Sequence, residues 1–256
     1  MLRSSNSVVT LSLSPQGFGI SGDATQRAPI KPWPKEYRSG DTKSIVDALD
    51  GLSVTSMQNK SRLDVVLDNA WTRFQLVRFP AGVRTKEECG AFLKAAFRNV
   101  FGAEADAWHI VAEPMHFGLP VLAVAVDAAL PEALTKFAER SKLTLRSVQP
   151  KFVTAFNGAR HGLSAHQGAF AQIDDIRICM ALWRQRCWVA VRSQPIVAHD
   201  VDIVGAAVGA MLNQMLAHID PPMAYGTLHL TGATRGWQAQ QLPEGWTALW
   251  LPADAE

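Results

Sequence analysis

The run Val121-Leu122-Ala123-Val124-Ala125-Val126 is wholly apolar and ends on Asp127. An alternating strand needs cover on one face only, whereas a continuous apolar run needs it on both. The pattern predicts a strand over Pro120–Val126 and a helix from Pro131, a residue suited to a first helical turn, to about Ser141. A strand over Leu143–Val148 comes next, and Pro150 leads into a helix carrying Phe152, Val153, Phe156 and Asn157. Strands alternating with helices require a sheet with helices against it, an α/β architecture.

The rest of the chain fits that frame. Val8–Leu13, the turn Pro15-Gln16-Gly17 and Phe18–Ser21 read as a β-hairpin. Gly22 to Gly40, with Pro29, Pro32 and Pro34, reads as a loop, and Thr42–Gly51 as a short helix with the stripe Ile45, Val46 and Leu49. Strands are expected at Asp64–Leu67, Thr72–Phe79 and Trp108–Ala112. Between the last two, Thr85 and Glu88 form a capping box before the helical stripe Phe92, Leu93, Ala96, Phe97 and Val100, which Gly102 closes. After His161-Gly162-Leu163-Ser164 the order begins again. Strands at Gly168–Ile173, Arg177–Trp183 and Trp188–Ser193 precede a helix from Asp200 to His218, then strands at Tyr225–Leu230 and about Thr247–Leu251. The expected division is an N-terminal part of lobe I over 1–62, the remainder of lobe I over 63–161, and lobe II over 162–256. Each half holds hairpin strands followed by helix and strand, a duplication at lobe scale.

Composition removes several function classes. With 48% hydrophobic and 19% charged residues over 256 positions, the chain can bury a large core and is not globally disordered. The net charge of +2 splits into +5 for residues 1–161 and −3 for residues 162–256, which argues against nucleic acid as a partner. Cys89, Cys179 and Cys187 are an odd count without a C-x-x-C pair, so reduced thiols and a cytoplasmic location are expected. Met1–Ser7 has no apolar core of a signal peptide, and neither Leu119–Val126 nor Val204–Leu212 approaches the roughly 20 residues that span a bilayer. Direct membrane insertion is therefore not expected.

Candidate chemistry is sparse. The histidines 109, 116, 161, 166, 199, 218 and 229 show neither an H-x-x-x-H nor an H-E-x-x-H pattern, so no metal site is expected. Ser147 and Ser164 lack a G-x-S-x-G elbow. Cys89 lies early in a helix beside Glu87 and Glu88, which oppose a lowered thiol pKa. Trp183 and Trp188 flank Arg184-Gln185-Arg186 as aromatic edges of a basic hairpin tip, a weak pattern for nucleic acid in an acidic half. Among the eight tryptophans, Trp237, Trp246 and Trp250 suit a core or a partner surface. Trp33, in the Pro-rich segment Ile30–Pro34, is expected to be exposed and available for docking.

Several segments carry a family resemblance. Leu63–Asn69 followed by Trp71–Val77 resembles a strand–turn–strand of the actin-like proteins of type IV pilus and type II secretion platforms. Ala123–Asp127, the helix Ala128–Ala138, Leu145–Pro150 and Phe156-Asn157 look like the same family, where a strand ending in Asp precedes helix, strand and proline-led helix. Leu228-His229-Leu230-Thr231-Gly232 resembles the strand and Thr-Gly turn that touch adenosine in such folds. The likeness runs from about Ser61 to Leu251 and points toward PilM and the cytoplasmic part of GspL. It implies a two-lobed actin-like (ASKHA, ribonuclease H-like) α/β fold, with mixed sheets flanked by helices.

Actin-like ATPases grip phosphates with two hairpin turns, each pairing an acidic residue with Gly, Ser or Thr. Here the first turn, Ser14-Pro15-Gln16-Gly17, has no acid, and Pro15 removes an N–H donor. The second, Asp174-Asp175-Ile176-Arg177, keeps carboxylates without a glycine, and the adenosine turn reads Thr231-Gly232-Ala233 rather than with a Gly-Gly pair. The resemblance thus implies a non-hydrolysing pseudo-ATPase with no cofactor. Asp174, Asp175, Thr231 and Gly232 are the positions for ATP and magnesium should a nucleotide bind. The implied function is a non-catalytic cytoplasmic scaffold or adaptor, peripheral to the inner membrane through a membrane-anchored pilus or secretion platform partner, with homo-oligomers possible. The resemblance puts a partner-peptide groove beside Phe92, Ala96, Phe97 and Val100. The alternatives are an ATP-binding actin-like ATPase or switch and, more remotely, a DNA-binding regulator.

Overall fold

The computed structural model describes residues 8–22, 31–33, 42–51, 61–114, 118–163, 166–196, 200–232 and 242–251. His116, Ser164, His199, Ala233, Trp237 and most of the Gly22–Gly40 segment lie outside these residues.

The strands are β1 (Val8–Ser14), β2 (Gly17–Ser21), β3 (Lys31–Pro32), β4 (Arg62–Leu67), β5 (Arg73–Arg78), β6 (Trp108–Ala112), β7 (Pro120–Asp127), β8 (Thr144–Pro150), β9 (Gln167–Ile173), β10 (Arg177–Arg184), β11 (Cys187–Pro195), β12 (Gly226–Gly232) and β13 (Trp246–Trp250). The helices are α1 (Thr42–Gly51), α2 (Lys86–Phe101), α3 (Ala129–Arg140), α4 (Lys151–Ala159) and α5 (Val201–Leu216). The expected elements are all present, with shifted ends. Helix α3 starts at Ala129 rather than Pro131 because the Asp127 carboxylate accepts from the Ala129 N–H at 2.9 Å and initiates the turn early. Pro150 ends β8 and leads directly into α4, as expected.

The chain forms two compact units, each discontinuous in sequence. The first comprises residues 1–72, 107–109 and 126–151, and the second comprises residues 73–106, 110–125 and 152–256. The segment around 161–162 lies inside the second unit, because Phe152, Ala155 and Ala159 of α4 share a core with Phe170 of β9 and Cys179, Ala181 and Trp183 of β10.

In the first unit five strands lie in the order β3-β2-β1-β4-β8. Strands β1 and β2 are antiparallel, while β4 runs parallel to both β1 and β8. The alternation in β1 sends Val9, Leu11 and Leu13 into the core, where they join Ile45 and Leu49 of α1 and Leu130, Leu134 and Phe137 of α3. Across β4 and β8, the Arg146 guanidinium pairs with the Asp64 carboxylate, and the Ser147 hydroxyl donates to it at 2.7 Å. Burial alone would raise the Asp64 pKa. The bonds from Arg146 and Ser147, with the Arg146 charge, hold it below its ordinary value.

In the second unit five strands lie in the order β11-β10-β9-β12-β13, with β9, β10 and β11 antiparallel and β12 parallel to β9 and β13. Both five-stranded sheets thus run three antiparallel strands and then two parallel ones, which is the duplication legible in the sequence. Strands β9 and β10 are buried along nearly their whole length. One set of their residues packs against Val204, Val208, Met211 and Leu212 of α5, and another against Phe152 of α4 and Phe74 of β5. A further, three-stranded sheet has the order β5-β7-β6, and Val121, Leu122, Ala123 and Ala125 of β7 are buried as their run predicted. Helix α2 is held at its start by the predicted box. The Thr85 hydroxyl accepts from the Glu88 N–H at 3.1 Å, and the Glu88 carboxylate accepts from the Thr85 N–H at 2.9 Å.

Candidate functional site

Three turns would have to grip a nucleotide: β1–β2, β9–β10 and the end of β12. In the first unit the β1–β2 turn is bonded to itself. The Ser14 hydroxyl donates to the Gly17 carbonyl at 3.1 Å and accepts from the Gly17 N–H at 3.2 Å. Pro15 has no N–H to offer, so two of the turn's four amides are unavailable to a ligand. Trp33 covers the turn. Its indole N–H donates to the Ser14 carbonyl at 2.7 Å and its ring packs on Phe18 with centroids 5.2 Å apart. Trp33 is 8% exposed, which overturns its expected role as an exposed docking residue. A tryptophan gains more by burying its ring and satisfying its one donor than by facing water.

In the second unit the β9–β10 turn and the end of β12 lie together, because Thr231 and Gly232 pair with Gln172 and Ile173 of β9 just before Asp174. The structure therefore brings Asp174, Thr231 and Gly232 to one end of one sheet, with exposed Asp175 beside them. Asp174 and Thr231 are buried. The Asp174 N–H donates to the Arg177 carbonyl at 2.9 Å, and its carboxylate accepts from the Gln172 amide at 3.3 Å. At Gly232 φ is +126°, and an added Cβ would stand 1.9 Å from the Ile173 carbonyl oxygen. The absence of a side chain there serves the close approach of β9 and β12. Asp174 and Gly232 are thus engaged by the sheet itself.

The residues expected to line a partner groove part company. On α2, Phe97 is fully buried and stacks on Phe101 at 5.6 Å, so it belongs to the core and cannot meet a partner. Phe92 and Ala96 are half-buried, with Phe92 packed against Phe79 at 5.5 Å, and Val100 is 61% exposed. The stripe that periodicity detects is the face that packs inward.

The other candidates resolve individually. Ser147 is committed to Asp64, and the three cysteines are free thiols, Cys179 among them fully buried. Trp183 is 5% exposed and Trp188 half-buried, so the hairpin tip does not offer two open stacking faces. His109, His161, His166 and His218 are exposed, and no group of metal-ligating side chains occurs among the described residues. His229 is different. It is 4% exposed, neither ring nitrogen has a hydrogen-bond partner among the described residues, and burial pushes its pKa below the ordinary value. Nothing in its sequence context distinguishes it: it lies on β12, between β9 and β13, and the Trp183 ring stacks on it with centroids 6.2 Å apart. Among the described residues no helix is long and apolar enough to cross a membrane.

No family model and no curated protein sequence matches the chain. Solved structures do match. The chain is similar to PilM from the PilM–PilN type IV pilus biogenesis complex, with a TM-score of 0.59 and 12% identity, over 94% of this chain and 84% of that one. It is also similar to the cytoplasmic domain of EpsL, an inner membrane component of the type II secretion system of Vibrio cholerae, with a TM-score of 0.55 and 10% identity over 97% and 92% of the two chains. A third match is a Bacteroides thetaiotaomicron protein with an actin-like ATPase fold and unknown function, at a TM-score of 0.54 and 12% identity over 92% and 86%. The fold is the actin-like ATPase fold.

Proposed function

We propose that this protein is a non-catalytic cytoplasmic scaffold or adaptor of a pilus- or secretion-type inner-membrane assembly, and that it binds a membrane-anchored partner. The observation that carries the reading is the β1–β2 turn. Its Ser14 hydroxyl and Gly17 N–H are spent on each other, Pro15 contributes no donor, and Trp33 caps the corner. A phosphate grip works through backbone N–H groups left pointing at the ligand, and this turn has turned its own donors inward. The buried, hydrogen-bonded Asp174 supports the same reading for the second turn. The likeness to PilM and to the EpsL cytoplasmic domain supplies the kind of assembly.

Thermal unfolding with and without millimolar Mg-ATP tests the reading. A ligand at 100 times its Kd adds about 2.7 kcal/mol, enough to raise Tm by several degrees. The expected result is no shift, together with saturable binding to the cytoplasmic segment of a single-span platform protein. A magnesium-dependent rise in Tm would overturn the reading in favour of an ATP-driven switch.

A further inference from the structure

The second unit contains a groove of about 670 Å³ that belongs to none of the nucleotide turns. Three sets of residues build it: the C-terminal end of α4 with the turn after it, the β10–β11 hairpin, and Glu113, Pro114, Leu119 and Pro120 beside β6 and β7. Its floor is aromatic. Phe156 packs against Trp188 with centroids 4.7 Å apart and against Trp183 at 6.1 Å in an edge-on arrangement. Leu119, 44% exposed, extends the apolar surface.

The rim carries positive charge. Arg160, His161 and Arg186 line the groove and are exposed, and neither arginine forms an ion pair with another described residue. The one carboxylate among the described lining residues, Glu113, accepts from the Trp188 indole N–H at 2.9 Å and from the Leu122 N–H at 3.1 Å. It is thereby committed to holding the aromatic wall. Arg186 sits at the tip of a two-residue hairpin in which both Gln185 and Arg186 take positive φ, +50° and +63°. Such turns match the twist of a hairpin and ordinarily use Asn-Gly. Here two long side chains accept the left-handed conformation, a cost of the kind that persists where the surroundings determine the site.

A pocket of this size with an apolar floor and a few convergent charges suits a short ligand rather than a folded domain. We infer that the groove takes an extended acidic peptide segment, with an aromatic or aliphatic residue seated against Phe156 and Trp188 and flanking carboxylates on Arg160 and Arg186. The inference rests on the scaffold reading and names the chemistry of its partner. It also places the contact away from α2, none of whose residues line the groove. Arginine is suited to this work because its planar fork meets a carboxylate with two hydrogen bonds.

The test is selection of a random peptide display library on the full chain, followed by fluorescence polarisation of the enriched peptides. Two variants accompany it, Trp188→Ala and the doubly substituted Arg160→Glu/Arg186→Glu. The second alters exposed side chains alone, so it keeps the test valid if the tryptophan variant fails to fold. Enriched peptides should pair a large apolar residue with two or more Asp or Glu. Their affinity should fall at least about tenfold on charge reversal and weaken with salt. No enrichment, enrichment without acidic residues, or affinity unchanged in R160E/R186E would each overturn the inference. The two readings fail separately: Mg-ATP stabilisation with acidic peptides still bound removes the scaffold, whereas no response to ATP and no acidic selection removes the groove alone.

Discussion

The Trp33 indole N–H reaches the Ser14 carbonyl at 2.7 Å across 19 residues of chain. The same ring packs on Phe18 and is almost wholly buried, so Trp33 is at once a lid on the β1–β2 turn and part of the first unit's core. Trp33→Ala should destabilise the protein by about 3–5 kcal/mol. Trp33→Phe keeps most of the ring and removes the donor, and should cost about 1 kcal/mol. Urea denaturation monitored by circular dichroism measures both. Equal effects would show that the hydrogen bond, not the ring, holds the turn.

Gly232 has no room for a methyl group, because the Ile173 carbonyl oxygen stands 1.9 Å from where its Cβ would be. Gly232→Ala should cost about 3 kcal/mol or more, from left-handed strain and from the forced separation of β9 and β12. Gly90 is the contrasting case, with nothing within 4 Å of its added Cβ on exposed α2. Gly90→Ala should raise stability by about 0.5–1 kcal/mol. Melting temperatures of the two variants should move in opposite directions.

The capping box makes a smaller, local prediction. Thr85→Ala removes the acceptor for the Glu88 N–H and should cost about 1 kcal/mol, while Thr85→Ser should be nearly neutral. Hydrogen exchange at the first turn of α2 would accelerate in the alanine variant before global stability changed much.

His229 gives a pH dependence with a defined sign. Its pKa is lowered in the fold, so below the unfolded value of about 6.5 the unfolded chain takes up a proton that the native protein refuses. Stability is unaffected by this group above that pH and falls as pH drops from there toward the folded pKa. His229→Leu should remove that loss, so the stability difference between variant and wild type should grow in the variant's favour between about pH 7.5 and 5.5. Denaturant titrations across that window measure the difference, and a flat difference would mean that His229 titrates alike in both states.

Much of the fold is legible because its signals are local. The Thr85–Glu88 box, the α2 stripe, the Asp200 cap that accepts from the Asp202 N–H at 2.9 Å and the apolar run in β7 each lie within a few residues of one another. The lost donor at Pro15 is also written in the turn itself. What the stripe could not tell is which of its members remain exposed: Phe97 and Val100 are three apart on one helix, yet one is fully buried and the other 61% exposed. Periodicity reports the direction of a face and not the depth to which its neighbours cover it.

The order of strands and helices, the doubled hairpin pattern and the proline and missing acid of the β1–β2 turn could be read from the residues alone, since these depend on backbone preference and near neighbours. Packing alone set the rest: Trp33 closes its turn, Arg146 pairs with Asp64, His229 lies against Trp183 with no hydrogen-bond partner among the described residues, and Glu113, Phe156 and Trp188 meet at one groove. Those relationships join segments tens of residues apart, and only the packing of sheets and helices into a core brings such segments within reach of a hydrogen bond.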